Sequence, residues 1–292
     1  MRRKFFVGLF ALVIAVALMT PALAQDKVIK WKVQGFVPAG MLYHETLQRA
    51  ADIVKEVTGG RFVWEVFPAG ALVPPFEGLK AVSDGVYEAN FGYTGQWVGK
   101  IPVAPLFTAA PGGMNALDMQ MWFEHGGGKE LYQEMYDTYK YNVKVFITSP
   151  IAMEIFMWSK KPLRKLEDWK GVKFRMMPVM GDVLTKNGLS VVFMPAGEIM
   201  PNLQRGVIDA AEYSIPGLDR TLGIWEVCKY LHLPGVHQPA SQLEVIVNKK
   251  AWEALPADLK VLKDFFFGKV WKSQKAFGDK WYPYAKMFSL PH

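Results

Sequence analysis

Residues 28–67 constrain the fold more than any other stretch. Val28-Ile29-Lys30-Trp31-Lys32-Val33 alternates apolar and polar residues, which predicts a half-buried strand. Leu42, Leu47, Ala50, Ala51, Val54 and Val57 then recur at helical spacing from Met41 to Thr58, and Gly59-Gly60 stops the helix. Phe62-Val63-Trp64-Glu65-Val66-Phe67 is a second strand. Strand, helix, strand is a βαβ unit, and its two strands pair in parallel.

The same alternation continues. A short helix at Phe76–Asp84 precedes a third strand at Glu88–Tyr93, and helices are expected at Ala116–Phe123 and Gly128–Tyr139. Val143–Thr148 and Met153–Trp158 read as strands. Strands at Val172–Met176, Ser190–Phe193 and Gly206–Tyr213 then alternate with helices at Gly181–Asn187 and Glu198–Arg205. Leu218–Val227 reads as a helix with Trp225 toward a core, Leu243–Asn248 as a strand, and Lys249–Leu255 and Asp258–Phe277 as helices. Leu259, Leu262, Phe265, Phe266 and Val270 give that last helix an apolar stripe suited to a core or to bridging lobes rather than to a cofactor site. The small-residue stretch Phe107–Gly113 suggests a crossing between lobes. The fold class is α/β with two lobes: residues 25–149 mainly lobe 1, 150–240 mainly lobe 2, and 241–292 returning to pack on both.

Residues 1–24 read as a signal peptide. Arg2, Arg3 and Lys4 precede an apolar run from Phe5 to Met19, and Ala22-Leu23-Ala24 is a cleavage site. Export to the periplasm follows. Removing those three basic residues lowers the formal net charge from +7 to +4. The remaining basic residues are scattered, so nucleic acid is not an expected partner. The single cysteine, Cys228, excludes an intramolecular disulfide; a buried thiol fits it better than a nucleophile paired with His232.

Candidate site residues gather at strand ends. Arg175 closes its strand, where packed backbone would fix the guanidinium, and its planar fork matches a carboxylate in a way lysine cannot. Glu212 and Tyr213 end another strand. If both ends face one cleft, an arginine and a glutamate meet there, an arrangement suited to an anionic ligand with or without a cation. Glu154 and Glu244 are carboxylates within apolar runs. Each needs a partner or a cation if buried, or else faces outward. Tyr93, Gln96 and Trp97 follow the third strand, where ligands bind in open α/β sheets, although such aromatics also serve as ordinary core.

Catalytic signatures are missing. The five histidines form no H-x-x-x-H pair, and His232 and His237 flank Pro234 in poor geometry for one metal. No G-x-S-x-G elbow occurs, and Gly126-Gly127-Gly128-Lys129 lacks the spacing and context of a phosphate loop. A binding protein is therefore expected rather than an enzyme.

Three motifs together carry a family resemblance: W-S-K-K-P-L-x(5)-W-K-G-V-K-F-R at 158–175, L-Q-R-G-V-I-D-A-A-E-Y at 203–213, and L-E-V-I-V-N-K-K-A-W-E-A-L-P at 243–256. The chain resembles the extracytoplasmic solute receptors of tripartite ATP-independent periplasmic (TRAP) transporters, and within them the branch binding 2-oxo acids. The resemblance implies two lobes joined by strands and a long helix, closing on a small organic acid for delivery to membrane permease subunits. It implies that Arg175 takes the solute carboxylate. It also implies a bridging Na+ or Ca2+ held by the Glu212 side chain, the Tyr213 main-chain carbonyl and residue 154, with Glu244 nearby, and no organic cofactor. Tyr213 stands where that branch usually has Trp, and Glu154 where it usually has Gln. The extra negative charge favours a divalent ion. Relatives commonly continue with more C-terminal helix, which in that branch helps pair two subunits, so a homodimer is left open. The alternatives are a periplasmic enzyme acting on a carboxylic acid, with Glu154 or Glu244 as base, and a solute sensor docking on a signalling receptor.

Overall fold

A computed structural model describes residues 27–260 and 262. The signal-peptide expectation, and most of the apolar stripe expected at Asp258–Phe277, lie outside these residues. Among the described residues, no helix is long and apolar enough to cross a membrane.

Two mixed five-stranded sheets organise the chain. The first contains β1 (Ile29–Gln34), β2 (Phe62–Phe67), β3 (Ala89–Gly92), β4 (Val143–Ile151) and, returning from the far end of the sequence, β10 (Ser241–Asn248). Its order is β2-β1-β3-β10-β4. The second contains β5 (Met157–Ser159), β6 (Lys173–Arg175), β7 (Ser190–Val192), β8 (Ala210–Ala211) and β9 (Tyr230–His232), in the order β7-β6-β8-β5-β9. β1 pairs in parallel with β2 and β3, as the helical crossover at Leu42–Val57 requires, while β10 runs antiparallel to β3 and β4. In the second sheet β6 is parallel to β7 and β8, and β5 is antiparallel to β8 and β9. This is an α/β fold of two lobes.

Side-chain alternation divides the first core into two layers. Trp31, Val33, Phe62, Val245 and Val247 pack with Leu47 and Val54 of the first helix. Ile246, on the other face of β10, packs with Trp97, Tyr132 and Tyr136. β10 is therefore buried along its whole length. In the second lobe, Met157, Phe174 and Met176 form one cluster, and Ile199, Leu203, Ile208 and Cys228 another.

Several expectations are corrected. Met153–Phe156 alternates but forms no strand, because β4 continues through Pro150 to Ile151 before the chain leaves the sheet. Proline is tolerated there since β4 is an edge strand. The strand expected at Gly206–Tyr213 is reduced to Ala210–Ala211. Gly223, at φ 79°, divides the expected Leu218–Val227 helix into Pro216–Leu222 and Ile224–Val227, and Trp225 is 45% exposed rather than in a core. Phe107–Gly113 does not carry the chain between lobes: Phe107 and Met114 pack with the first lobe's core. The crossings are Ile151→Met157 outward and His232→Ser241 back, and they are bonded to each other, Glu154 N–H to the Gln238 carbonyl at 3.2 Å and Phe156 N–H to the His232 carbonyl at 2.9 Å.

Candidate solute and cation site

A cavity of about 40 Å³ lies between the lobes. Phe36, Tyr43, Tyr93 and Gln96 line it from the first lobe, Arg175, Phe193 and Tyr213 from the second, and Glu154 and Gln238 from the crossings.

Arg175 ends β6, and its backbone is in register with Ala211 of β8. That pairing brings the next residue, Glu212, against it. Arg175 Nη1 donates to Glu212 Oε1 at 2.8 Å and to the Glu212 carbonyl at 2.7 Å. Nε and Nη2 donate to the Met194 carbonyl at 3.3 and 3.2 Å. The guanidinium carbon lies 5.1 Å from the Phe193 ring centroid. These bonds engage most of the fork, so a fully free bidentate face is not what the site presents. One Nη2 proton and the positive charge remain for a ligand.

Glu212 Oε1 also accepts from Met177 N–H at 2.7 Å, but Oε2 has no partner. Glu154 is buried on the outward crossing, and its Oε2 is likewise unpartnered. Burial, reinforced by Glu212 and Asp219, holds the Glu154 carboxyl well above the usual carboxylate range, with Arg175 opposing. His237, on the returning crossing, is 1% exposed; neither ring nitrogen has a hydrogen-bond partner, and burial lowers its pKa. One ligand atom each from Glu154, Glu212 and His237 lies within 4.8 Å of the others. Buried oxygens of two carboxylates left unsatisfied at this range fit a cation.

The sequence-derived residues fall into two groups. Arg175, Glu154, Tyr213, Tyr93 and Gln96 border the cavity, with Glu212 directly behind Arg175. Tyr93 donates its hydroxyl to Met177 Sδ at 3.3 Å. Trp97 and Glu244 are elsewhere. Trp97 Nε1 donates to Glu244 Oε1 at 2.9 Å, Tyr132 OH to Oε2 at 2.7 Å, and Tyr136 OH to both oxygens at 2.8 Å. Glu244 shares the face of β10 that turns toward the helix Gly128–Thr138, so its carboxylate is satisfied inside the first lobe.

Sequence reasoning missed the wall residues Phe36, Tyr43, Phe193 and Gln238, and three polar participants as well. Met194 contributes only a carbonyl, which no side-chain pattern reveals. Asp219 accepts from Trp158 Nε1 at 2.8 Å and Ser214 N–H at 2.9 Å, and burial pushes its pKa up to about 7. His237 shows no metal-ligand spacing with its nearest histidine in the chain, His232, which instead pairs with Ser159 Oγ at 2.8 Å.

The family described as bacterial extracellular solute-binding protein, family 7 (DctP) matches residues 34–264. The chain belongs to this family. The monocarboxylate 2-oxoacid-binding periplasmic protein of Nostoc sp. (strain PCC 7120) is 33% identical over 230 residues; the match spans 79% of this chain but 63% of that relative. A TRAP transporter solute-binding protein from Bordetella bronchiseptica RB50, a mixed-occupancy dimer with copurified calcium and picolinate in one site, is 30% identical with a TM-score of 0.78, over 84% of this chain and 73% of that one. A TRAP periplasmic solute-binding protein from Colwellia psychrerythraea with bound calcium and pyruvate gives 28% and 0.79, over 90% and 81%. The two-lobed α/β fold is shared with these solved structures.

Proposed function

We propose that the protein is the periplasmic solute receptor of a TRAP transporter. It captures a small 2-oxo acid or a related organic acid and hands it to membrane permease subunits. The observation that carries this reading is the cavity between the lobes, bordered by Arg175 and by Glu154, whose Oε2 has no hydrogen-bond partner, with the unpartnered Oε2 of Glu212 on the residue behind Arg175. Phe36, Tyr43 and Phe193 give the carbon skeleton of such an acid an apolar wall.

Arg175 holds the solute carboxylate through its remaining N–H and its charge. Glu212 fixes the guanidinium in place, and the Phe193 ring covers its face. Na+ or Ca2+ held by Glu154, Glu212 and the Tyr213 carbonyl would offset the acids and accept a second solute oxygen. Pyruvate and picolinate, bound with calcium in the relatives above, both carry a donor atom next to the carboxylate. Closure of the lobes removes water and strengthens each charged contact. The periplasmic assignment rests on the relatives and on the N-terminal signal pattern.

Calorimetry on the chelator-treated protein tests the reading. Pyruvate and longer 2-oxo acids should bind at one per chain, and more tightly once Ca2+ or Na+ is restored. Absence of binding with either ion present would overturn it. The site reads as one for binding rather than turnover, so NMR of a 2-oxo acid incubated with the protein should show the acid unchanged.

A further inference from the structure

We propose that His237 joins Glu154 and Glu212 in a mixed nitrogen–oxygen donor set that selects a first-row divalent metal, with Zn2+ as its representative, over Ca2+ or Na+. This rests on the cation site read above and changes which ion that site prefers.

Nε2 of His237 is 3.6 Å from Glu154 Oε2. Two donors bound at about 2.0–2.1 Å to one tetrahedral ion stand about 3.3–3.4 Å apart, so this pair requires little movement, while Glu212 closes in from within 4.8 Å. The Phe156 ring meets the imidazole edge-on, with centroids 5.7 Å apart, and fixes its plane. A buried imidazole ordinarily spends at least one nitrogen on a hydrogen bond, and here both are unspent. The two carboxylate oxygens facing it are unspent too.

Ligand chemistry then decides the ion. Ca2+ takes oxygen donors, whereas imidazole nitrogen suits zinc and its neighbours in the first row. Glu154 borders the cavity, so a coordination position on that side remains open to a chelating acid.

The test uses the mature chain without a polyhistidine tag, stripped by chelator and titrated separately with Zn2+, Ca2+ and Na+. One Zn2+ per chain should bind ~100-fold more tightly than Ca2+. Co2+ should give the intense visible bands of a four-coordinate nitrogen–oxygen site. His237→Gln, which offers an amide oxygen instead, should weaken Zn2+ by roughly 10–100-fold and leave Ca2+ nearly unchanged. Calcium binding as tight as zinc in the wild-type chain, or zinc affinity indifferent to H237Q, overturns the proposal. The wild-type ranking and the cobalt spectrum decide it even if the variant does not fold. A calcium-loaded protein that binds a 2-oxo acid but shows no zinc preference sinks this inference alone. Failure to bind any such acid in every metal form sinks the receptor reading instead.

Discussion

Arg175 and Glu212 form an ion pair at 2.8 Å with almost no exposure, 4% and 0% at the side chains. It is held from both sides: the Glu212 N–H donates to the Arg175 carbonyl at 3.2 Å, and the Met177 N–H donates to the same carboxylate oxygen that Arg175 grips. The pair is a consequence of strand register, since β6 and β8 are parallel neighbours whose ends coincide. Removing one partner of such a pair costs about 3–5 kcal/mol, because the other is left buried and uncompensated. The arginine is therefore held in position before any ligand arrives.

Arg175→Lys keeps the charge but cannot span both the Glu212 carboxylate and the Met194 carbonyl. Charge-assisted hydrogen bonds contribute about 1.5–3 kcal/mol each, so solute affinity should fall by roughly 10- to 100-fold and the melting temperature should drop. Calorimetry with pyruvate and a thermal scan read the two effects. Unchanged affinity would remove Arg175 from the solute site.

Glu154→Gln leaves an oxygen donor in place and deletes one of the unpartnered carboxylate oxygens. Divalent-ion affinity should fall by about tenfold, and sodium should then support solute binding at least as well as a divalent ion. Metal titrations of stripped wild-type and variant protein make the comparison. Equal divalent affinity in the two would place the ion away from Glu154.

Much of this arrangement could be read from the sequence because it depends on periodicity. Phe62–Phe67 is the expected strand to the residue, and the helix at Leu42–Val57 differs from expectation by one residue at each end. Arg175 and Glu212 each end an apolar run, so the pattern marks both as candidates to meet if the two strand ends face one cleft. What the pattern could not give was the choice between two faces. Glu154 and Glu244 look alike as single charges among apolar residues. Only the sheet order, which places the tyrosines of Gly128–Thr138 over one face of β10, sends Glu244 into a core. His237 was hidden for another reason. Its neighbours in space, Glu154 and Glu212, are 83 and 25 positions away in the chain, so no local motif exists.

Burial raises the Glu244 carboxyl above its ordinary value, opposed by the hydrogen bonds from Tyr132, Trp97 and Tyr136. A folded pKa above the unfolded one means that the folded state keeps the proton longer. Stability therefore declines as pH rises from the unfolded pKa, about 4.3, through the folded one. Glu244→Gln has no such proton. The stability of wild type relative to the variant should be greatest at the acid end of this window and shrink as pH rises. Urea midpoints measured from pH 4 to 8 should show the two curves converging or crossing; parallel curves would mean that Glu244 does not titrate in this range.

Cys228 is fully buried, and burial pushes its thiol up to about 11. At pH 8 only about one molecule in a thousand would carry the thiolate, and it would be shielded from solvent. Ellman's reagent should therefore react very slowly with the folded protein and with one thiol per chain in denaturant. Rapid labelling of the folded state would contradict the packing of Cys228 against Ile224 and Leu203.

Gly235 marks where the two crossings touch. A Cβ there would lie 2.1 Å from the Glu154 carbonyl oxygen and 2.6 Å from its carbon, both backbone atoms that cannot simply rotate away. Gly235→Ala must push the outward crossing aside, and Glu154 moves with it. Overpacking of this kind costs about 1–3 kcal/mol, and the displaced carboxylate should lower cation and solute affinity together. Gly217 supplies the control: it is helical, and a Cβ there meets nothing within 4 Å. Gly217→Ala should keep wild-type affinity and gain a few tenths of a kcal/mol up to about 1 kcal/mol of stability. If both alanine variants bind the acid as wild type does, the contact between the crossings does not position Glu154.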